Sequence, residues 1–333
     1  MRRTASARGA VPMFFVVGHA KSGTSWLMRL LDAHPDVVCR GEGKFFGRES
    51  PRSLHGALSC SEELQTWLRS NPWVHDRPNA HRELVRFVVN GAMKDRLQRS
   101  GAEIVGDKTP LVTPDIVEEI NATCPEATVV HIVRDGRDVA VSGVHHAWNN
   151  ATDSGGRFEL SAQEKAARDA YRSDPAAFVA RGESIFADRD VVAGSRQWNE
   201  RVRRAMLDGA ARRDHYHQIR YEDLLEDPVG ELGGVLDRLG VDSSSARARE
   251  CVEAASFERL AGRDRGREDS TSFYRKGVSG DWQAHFDEEH RRIFKREAGE
   301  LLIRLGYEDD HAWAEASRLP GDLLIGHGSD SSW

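Results

Sequence analysis

The feature that most constrains the fold is a short apolar run that ends in a glycine-rich turn and leads into a helix. Met13–Val17 is uniformly apolar, which predicts a buried strand. Gly18–Gly23 predicts a tight loop, and Thr24–Ala33 carries apolar residues at helical spacing. The first N–H groups of such a helix have no partner within it and lie at the positive end of its dipole. This strand–loop–helix unit therefore predicts a site for an anionic group, with Lys21 adding a charge inside the loop.

The alternation of strands and helices continues along the chain. Apolar and β-branched runs predict further strands at 103–105, 128–133 and 215–220. Helical periodicity predicts helices at 114–121, from about 137, at 228–239 and at 288–305, and a mostly helical stretch over 162–213 with breaks near 173–175 and Gly182. Strands that alternate with helices are typical of an α/β fold in three layers, with a central parallel sheet flanked by helices.

The chain shows no internal linker that would divide it into two domains. We expect residues 1–10 to be a flexible leader, 11–320 a single domain and 321–333 a C-terminal tail. The polar, glycine-containing stretch 149–157 predicts a mobile rim.

Composition excludes several classes of function. The 333 residues carry a net charge of −6, so no global basic field favours a nucleic-acid partner. The four cysteines form no CxxC pair, which argues against a zinc site and a disulfide framework. No run of 18 apolar residues predicts a membrane span. We therefore expect a cytoplasmic protein without a metal site.

Two further segments combine cations with small residues. Arg134 follows a predicted strand and Ser142 lies eight residues on, so the two could hold a second anion. Arg275 and Lys276 precede Gly277, which permits close backbone approach. Taken alone, each segment has a plain alternative. The first could be a helix start whose arginines pair with Asp135 and Asp138, and the second an exposed basic pair.

A nucleotide kinase is the first functional alternative, and the loop sequence disfavours it. Gly18 and Gly23 have the spacing of GxxxxGK[ST], but Thr24 stands where that motif has its lysine. The strand at 128–133 runs into Arg134 rather than into an acidic magnesium ligand.

The three cationic segments occur in the order found in the sulfotransferases that use 3′-phosphoadenosine 5′-phosphosulfate (PAPS). KSGTSWL, from Lys21 to Leu27, resembles the phosphosulfate-binding loop of that family, HIVRDGRDVAVS resembles its 3′-phosphate motif, and RKGVSGDW resembles its C-terminal segment. The resemblance implies a P-loop NTPase-like fold and a nucleotide site for PAPS or its product PAP. It assigns the phosphosulfate to Lys21, Ser22, Gly23, Thr24 and Ser25, the adenine to Trp26, Tyr221 and Phe257, and the 3′-phosphate to Arg134, Ser142, Arg275, Lys276 and Gly277.

The resemblance also suggests a general base. LDAHPDV and the following EGKFF resemble segments of tyrosylprotein and heparan-type sulfotransferases, in which the glutamate at the position of Glu42 is regarded as the base. Small-molecule sulfotransferases instead carry a KTH motif, but this chain has Pro110 in place of that histidine. Lys108 matches the family lysine near the transferred group, and Asp107 is a fallback base that could also pair with Lys108. His145 and His146 are expected to be exposed helix residues, although they could line an acceptor pocket.

The predicted reaction is an in-line transfer of a sulfuryl group from PAPS to an acceptor hydroxyl or amine, with release of PAP. Glu42 removes the acceptor proton, Lys21 and Lys108 stabilise the transferred group, and no metal is required. A non-catalytic PAP-binding protein is the second alternative. A small molecule, a glycan, a lipid and a peptide all stay open as acceptors, and the oligomeric state stays open too, a homodimer included.

Overall fold

The structure is a computed structural model that describes residues 11–77, 79–151, 159–269, 272 and 275–315. Within this part of the chain, the strands are β1 (Met13–Gly18), β2 (Val37–Gly41), β3 (Ile104–Pro110), β4 (Thr128–Val133) and β5 (Tyr216–Arg220). They form one sheet in the order β2-β3-β1-β4-β5, and each neighbouring pair is parallel.

The helices of the first half of the chain are α1 (Thr24–Asp32), α2 (Leu54–Cys60), α3 (Glu62–Ser70), α4 (Ala80–Ser100), α5 (Ile116–Thr123), α6 (Gly136–Asn150) and α7 (Ala162–Ser173). Those that follow are α8 (Pro175–Ala180), α9 (Asp188–Ala210), α10 (Tyr221–Glu226), α11 (Pro228–Leu239), α12 (Ser245–Ala254), α13 (Phe257–Ala261), α14 (Trp282–His285) and α15 (Glu288–Arg304).

Alternate side chains of β1 enter two different hydrophobic clusters, which gives the protein three layers. Phe14 and Val16 pack with residues of α1 and α11 on one face of the sheet. Phe15 and Val17 pack with residues of α4 and α5 on the other face. All four side chains are fully buried, as expected for a parallel sheet covered on both faces.

The parallel arrangement brings the carboxyl ends of all five strands to one edge of the sheet. Gly18 lies beside Pro110, and Gly41 lies beside Lys108. Arg134 directly follows the end of β4. Open α/β sheets bind ligands at this edge, so segments distant in sequence meet at one site.

Most predicted elements are confirmed, and the boundaries of β1, β4, β5 and α11 agree within a residue. The prediction for β3 was wrong at its end, because the strand continues from 105 to 110. Gly106 is compatible with the strand because its missing side chain makes room for the ring of Phe14, which lies 2.2 Å from where a Cβ would stand. The expected mobile rim falls largely on 152–158, and the expected leader and tail on 1–10 and 321–333, all outside the described residues.

Candidate active site

The first loop joins β1 to α1 in a conformation that only small or adaptable residues permit. Lys21 and Gly23 both have positive φ angles, 71° and 94°. A Cβ at Gly23 would lie 2.5 Å from the ring of Tyr221, so glycine is required there. Gly23 is also the N-cap of α1 and has no capping side chain. The first N–H groups of α1 are therefore available to a ligand.

Arg134 connects the first loop to the C-terminal segment. Its guanidinium donates to the backbone carbonyl of Lys21 at 3.2 Å and to that of Val278 at 3.1 Å. It also lies 4.6 Å from the centre of the Tyr221 ring. These contacts fix a mostly buried cation at the end of β4, as the sequence predicts.

A buried carboxylate organises the cations of the C-terminal segment. Asp281 accepts a hydrogen bond from Lys276 Nζ at 2.6 Å and forms an ion pair with Arg275. Arg275 also donates to Glu268 at 2.8 Å. Although burial opposes it, the charges of Arg275 and Lys276 hold the pKa of Asp281 below its usual value. The two cations thus keep a fixed position beside the cavity.

The C-terminal segment is bound to the second loop through Asp138. Its carboxylate accepts the backbone N–H of Gly280 at 2.8 Å and that of Trp282 at 2.9 Å. The neighbouring Arg137 points elsewhere: it pairs with Asp135 and Glu308 and lies 3.8 Å from the Trp282 ring. Of the two arginines in this loop, only Arg134 lines the cavity.

Aromatic and apolar side chains line one part of the cavity. The rings of Trp26 and Tyr221 meet edge to face at 5.9 Å, and the Trp26 indole donates to the carbonyl of Ala255. Gly277, with a φ of 67°, allows the ring of Phe257 to approach the backbone. Arg265 lies 5.5 Å from the Trp26 ring. Such a surface can take a flat heteroaromatic ring.

The cations of the cavity influence one another. Burial lowers the pKa of Lys21 from 10.5 to about 8, and the positive charges of Arg134, Lys108 and Arg275 add to this effect. These neighbouring charges disfavour the charged state of Lys21 until an anion is present. The cavity therefore favours a ligand that carries negative charge.

Glu42 lies at the carboxyl end of β2, opposite the first loop. Its carboxylate accepts a hydrogen bond from Lys108 Nζ at 2.7 Å, and Lys108 also donates to the Ser25 hydroxyl at 3.3 Å. Lys108 thus pairs with Glu42, not with Asp107 as the sequence had left open. Asp107 instead accepts the N–H of Gly43 and the hydroxyl of Thr109.

The residues predicted for the site meet at one cavity. Every predicted site residue except Ser22 lines it: Lys21, Gly23, Thr24, Ser25, Trp26, Glu42, Lys108, Arg134, Ser142, Tyr221, Phe257, Arg275, Lys276 and Gly277. Ser22 is fully buried beneath the loop, and its N–H donates to the carbonyl of His19. Ser22 therefore contributes to the shape of the loop.

Sequence reasoning missed six of the lining residues, namely Ala20, Pro110, Leu225, Leu260, Arg265 and Val278. Ala20, Pro110 and Val278 lie inside segments already singled out. Leu225, Leu260 and Arg265 come from irregularly spaced positions near α10 and α13, where the sequence has no signal that separates a lining residue from a core residue.

The expectation that His145 and His146 are exposed was wrong. His145 is 2% exposed and packs against Trp148, Tyr171 and His285; its burial lowers its pKa. His146 is half-buried and lines the cavity one helical turn beyond Ser142. Helices α7 and α14 cover this side of α6, which local sequence could not indicate.

No described helix has the length and apolar character needed to cross a bilayer. Among the same residues, no cluster of three or more His, Cys, Asp or Glu side chains is placed to hold a metal ion.

Comparison with known proteins identifies the family. The sequence model described as "Sulfotransferase domain" matches residues 12–306. No sequence among the curated proteins matches the chain. Among solved structures, mouse sulfotransferase SULT7A1 complexed with PAP is similar at 17% identity and a TM-score of 0.50, over 93% of this chain and 89% of that one.

Two other similar structures were found at lower TM-scores. Sulfotransferase STF9 from Mycobacterium avium has 11% identity and a TM-score of 0.49, over 90% of this chain and 78% of that one. A retinol dehydratase in complex with retinol and PAP has 20% identity and a TM-score of 0.46, over 88% and 82%. The family match covers most of the chain, and the likeness to the mouse structure shows the same P-loop-like fold: this chain belongs to the sulfotransferase family.

Proposed function

We propose that the protein transfers a sulfuryl group from PAPS to an acceptor hydroxyl or amine, with Glu42 as the general base. The observation that carries the proposal is a single cavity in which two groups of cations, an aromatic surface and a carboxylate meet. A further proposal is that residues 11–320 form one domain built around this cavity.

The residues present fit a nucleotide with anionic groups at two ends. One group of cations consists of Lys21 and Lys108, and the other of Arg134, Arg275 and Lys276. Burial and, in addition, the positive charges of Arg134, Lys108 and Arg275 lower the pKa of Lys21, and a ligand with several negative charges relieves this repulsion. Trp26, Tyr221 and Phe257 offer the rings for a base.

The first loop would hold the phosphosulfate. Its free helix N–H groups and the Thr24 and Ser25 hydroxyls can donate to phosphate oxygens, and Lys21 supplies a compact charge. At the other end, Arg134, Ser142, Arg275 and Lys276 would hold the 3′-phosphate. When bound, PAPS supplies an activated sulfuryl group and a phosphate leaving group.

Glu42 would take the proton of the acceptor. Its carboxylate lies at the strand edge, and its side chain is 40% exposed, so an incoming acceptor can reach it. Lys108 contacts both Glu42 and Ser25, so one ammonium lies between the base and the phosphosulfate loop. In that position, Lys108 can neutralise charge on the transferred group, and acceptor, base and donor can be aligned.

The experiment is a transfer assay with ³⁵S-labelled PAPS and a panel of hydroxyl and amine acceptors. We expect the wild type to transfer the label. In Glu42→Gln, kcat should fall by about 10²-fold or more while PAP affinity stays unchanged, since this is the usual scale of general-base loss. Glu49→Gln removes an exposed carboxylate of the same segment and serves as the matched control. Undiminished turnover in Glu42→Gln would reject Glu42 as base.

The alternatives predict other outcomes. A kinase should bind ATP with Mg²⁺ more tightly than PAP without it, which calorimetry measures. A non-catalytic protein should bind PAP and transfer no label to any acceptor. A cytoplasmic location stays a prediction.

A further inference from the structure

The segment that carries the proposed base is held by two buried carboxylates. We call residues 42–48 the Glu42 loop; it leaves β2 at the strand edge. At its start, Asp107 Oδ1 accepts the N–H of Gly43 at 2.9 Å. At its end, Glu119 accepts the N–H groups of Gly47 at 3.0 Å and Arg48 at 2.6 Å. The loop is therefore fixed through its backbone on both sides of its apolar centre.

Asp107 has a geometry that separates it from the reacting groups. Neighbouring side chains of a strand point to opposite faces, so Lys108 lines the cavity while Asp107 does not. Asp107 is 5% exposed, and its second oxygen accepts the Thr109 hydroxyl at 2.7 Å. Both carboxylate oxygens are thus engaged inside the protein, and neither is directed at an acceptor.

A carboxylate is a costly group at this position. Burial raises the pKa of Asp107 from 3.8 to about 6, although the hydrogen bonds from Thr109 and Gly43 act in the opposite direction. A buried charge is destabilising unless its bonds compensate. A carboxylate with a strongly raised pKa beside a functional site often has a role in that site.

We propose that Asp107 is a positioning residue that holds Glu42 against Lys108 by accepting the N–H of Gly43. Gly43 directly follows Glu42, so movement of this peptide moves the carboxylate that is to receive the acceptor proton. The inference rests on the proposed role of Glu42. It assigns to Asp107 a role in orientation and none in proton transfer.

The experiment compares Asp107→Ala with Asp107→Asn in the full chain. Alanine releases Gly43, whereas asparagine keeps an oxygen that can accept its N–H. Asp107→Ala should lower kcat about 10- to 100-fold, because misplacement of a catalytic group by about 1 Å can cost 10²-fold. PAP affinity should stay within about 2-fold, and Asp107→Asn should recover at least about 10-fold of the lost kcat.

A double variant distinguishes positioning from general damage. If Asp107 acts through Glu42, Asp107→Ala should cause no further loss of kcat in a Glu42→Gln background, since residues that act as a unit are not additive. Val89→Ala removes part of a fully buried side chain on α4 away from the cavity and should leave kcat unchanged. It is the control for lost stability.

Several outcomes would overturn the inference. A full additional loss in the double variant, a parallel loss of PAP affinity, or an unchanged kcat in Asp107→Ala would each contradict positioning through Glu42. If Glu42→Gln itself is fully active, the proposed function loses its base, which is a separate failure. Should Asp107→Ala not fold, Thr109→Val, alone and with Glu42→Gln, gives the same comparison, since it removes the bond that orients Asp107.

Discussion

The two ends of the cavity are built differently. We call the end proposed to bind the 3′-phosphate the nucleotide end; it contains Arg134, Arg275 and Lys276. Two backbone carbonyls from distant segments hold the first of these cations, and the carboxylate of Asp281 holds the other two. At the end proposed for sulfuryl transfer, which we call the transfer end, Glu42 is partly exposed. Lys108 contacts the Glu42 carboxylate, and Asp107 accepts the backbone N–H of the next residue, Gly43. The first end is arranged to bind before any ligand arrives, and the second leaves room for an acceptor to enter. Binding of the donor and choice of the acceptor should therefore respond to different substitutions.

The largest expected effect is at the nucleotide end. Arg134→Ala should weaken PAP affinity about 10²-fold, because a hydrogen bond between a charged arginine and a phosphate contributes about 1.5–3 kcal/mol to binding. Calorimetry with PAP measures it. The matched control is Arg137→Lys, three residues on: it disturbs a buried ion pair outside the cavity and should lower the melting temperature while PAP affinity stays within about 2-fold. Equal PAP affinities in the two variants would contradict the prediction that Arg134 binds the nucleotide and Arg137 does not.

A smaller effect is expected on the pH dependence of stability, through the buried carboxylate of Asp107 at the transfer end. Because the pKa of Asp107 is raised to about 6, the folded protein holds this proton more tightly than the unfolded chain. Stability is therefore lost as pH rises from about 4 to 6, and the loss is complete above pH 6. The charges of Lys108 and Glu42 also act on Asp107, and both persist in the variant Asp107→Asn.

Asp107→Asn should consequently be more stable than the wild type at pH 7–8, by about 2 kcal/mol, and the difference should shrink towards pH 4. Urea unfolding across this pH range measures the free energy of unfolding. A constant difference at all pH values would show that Asp107 does not titrate as its burial indicates.

The smallest expected effect tests where the transfer end stops. His146→Ala should raise the acceptor KM by less than about 10-fold and leave PAP affinity unchanged, because His146 lines the cavity but is not among the residues proposed to hold PAPS. The exposed His75, between α3 and α4, provides a control substitution. A larger effect on PAP affinity than on acceptor KM would assign His146 to the nucleotide end.

The sequence could predict the parts of the site that depend on local patterns, but not those that depend on distant contacts. Anion sites at strand ends depend on short runs of neighbouring residues, so Lys21, Arg134 and Arg275 could be located from local patterns and family resemblance. Burial of a side chain by elements distant in sequence could not be predicted from such local patterns. His145 is buried by Tyr171 and His285, and helices α2–α4 pack in a region where no motif was present.

The end of β3 shows a related limit. Gly106, Asp107 and Lys108 interrupt the apolar pattern, so the strand was predicted to stop before them. Each is compatible with the strand for a tertiary reason: room for Phe14, the bond to Gly43 and the pair with Glu42. Contacts with residues distant in sequence therefore permit a strand that the local apolar pattern does not indicate.

The bonds from Asp138 to Gly280 and Trp282 have a consequence for biosynthesis. Gly280 lies 142 positions after Asp138 in the sequence, and Trp282 lies 144 positions after it. The segment that contains Gly280 and Trp282 also brings Arg275 and Lys276 to the cavity. A nascent chain emerges from its N-terminus and folds as its parts become available. It therefore possesses both strand-end loops long before the ribosome delivers the segment that completes them, and a translation product stopped before residue 275 would contain an unfinished receptor for its nucleotide.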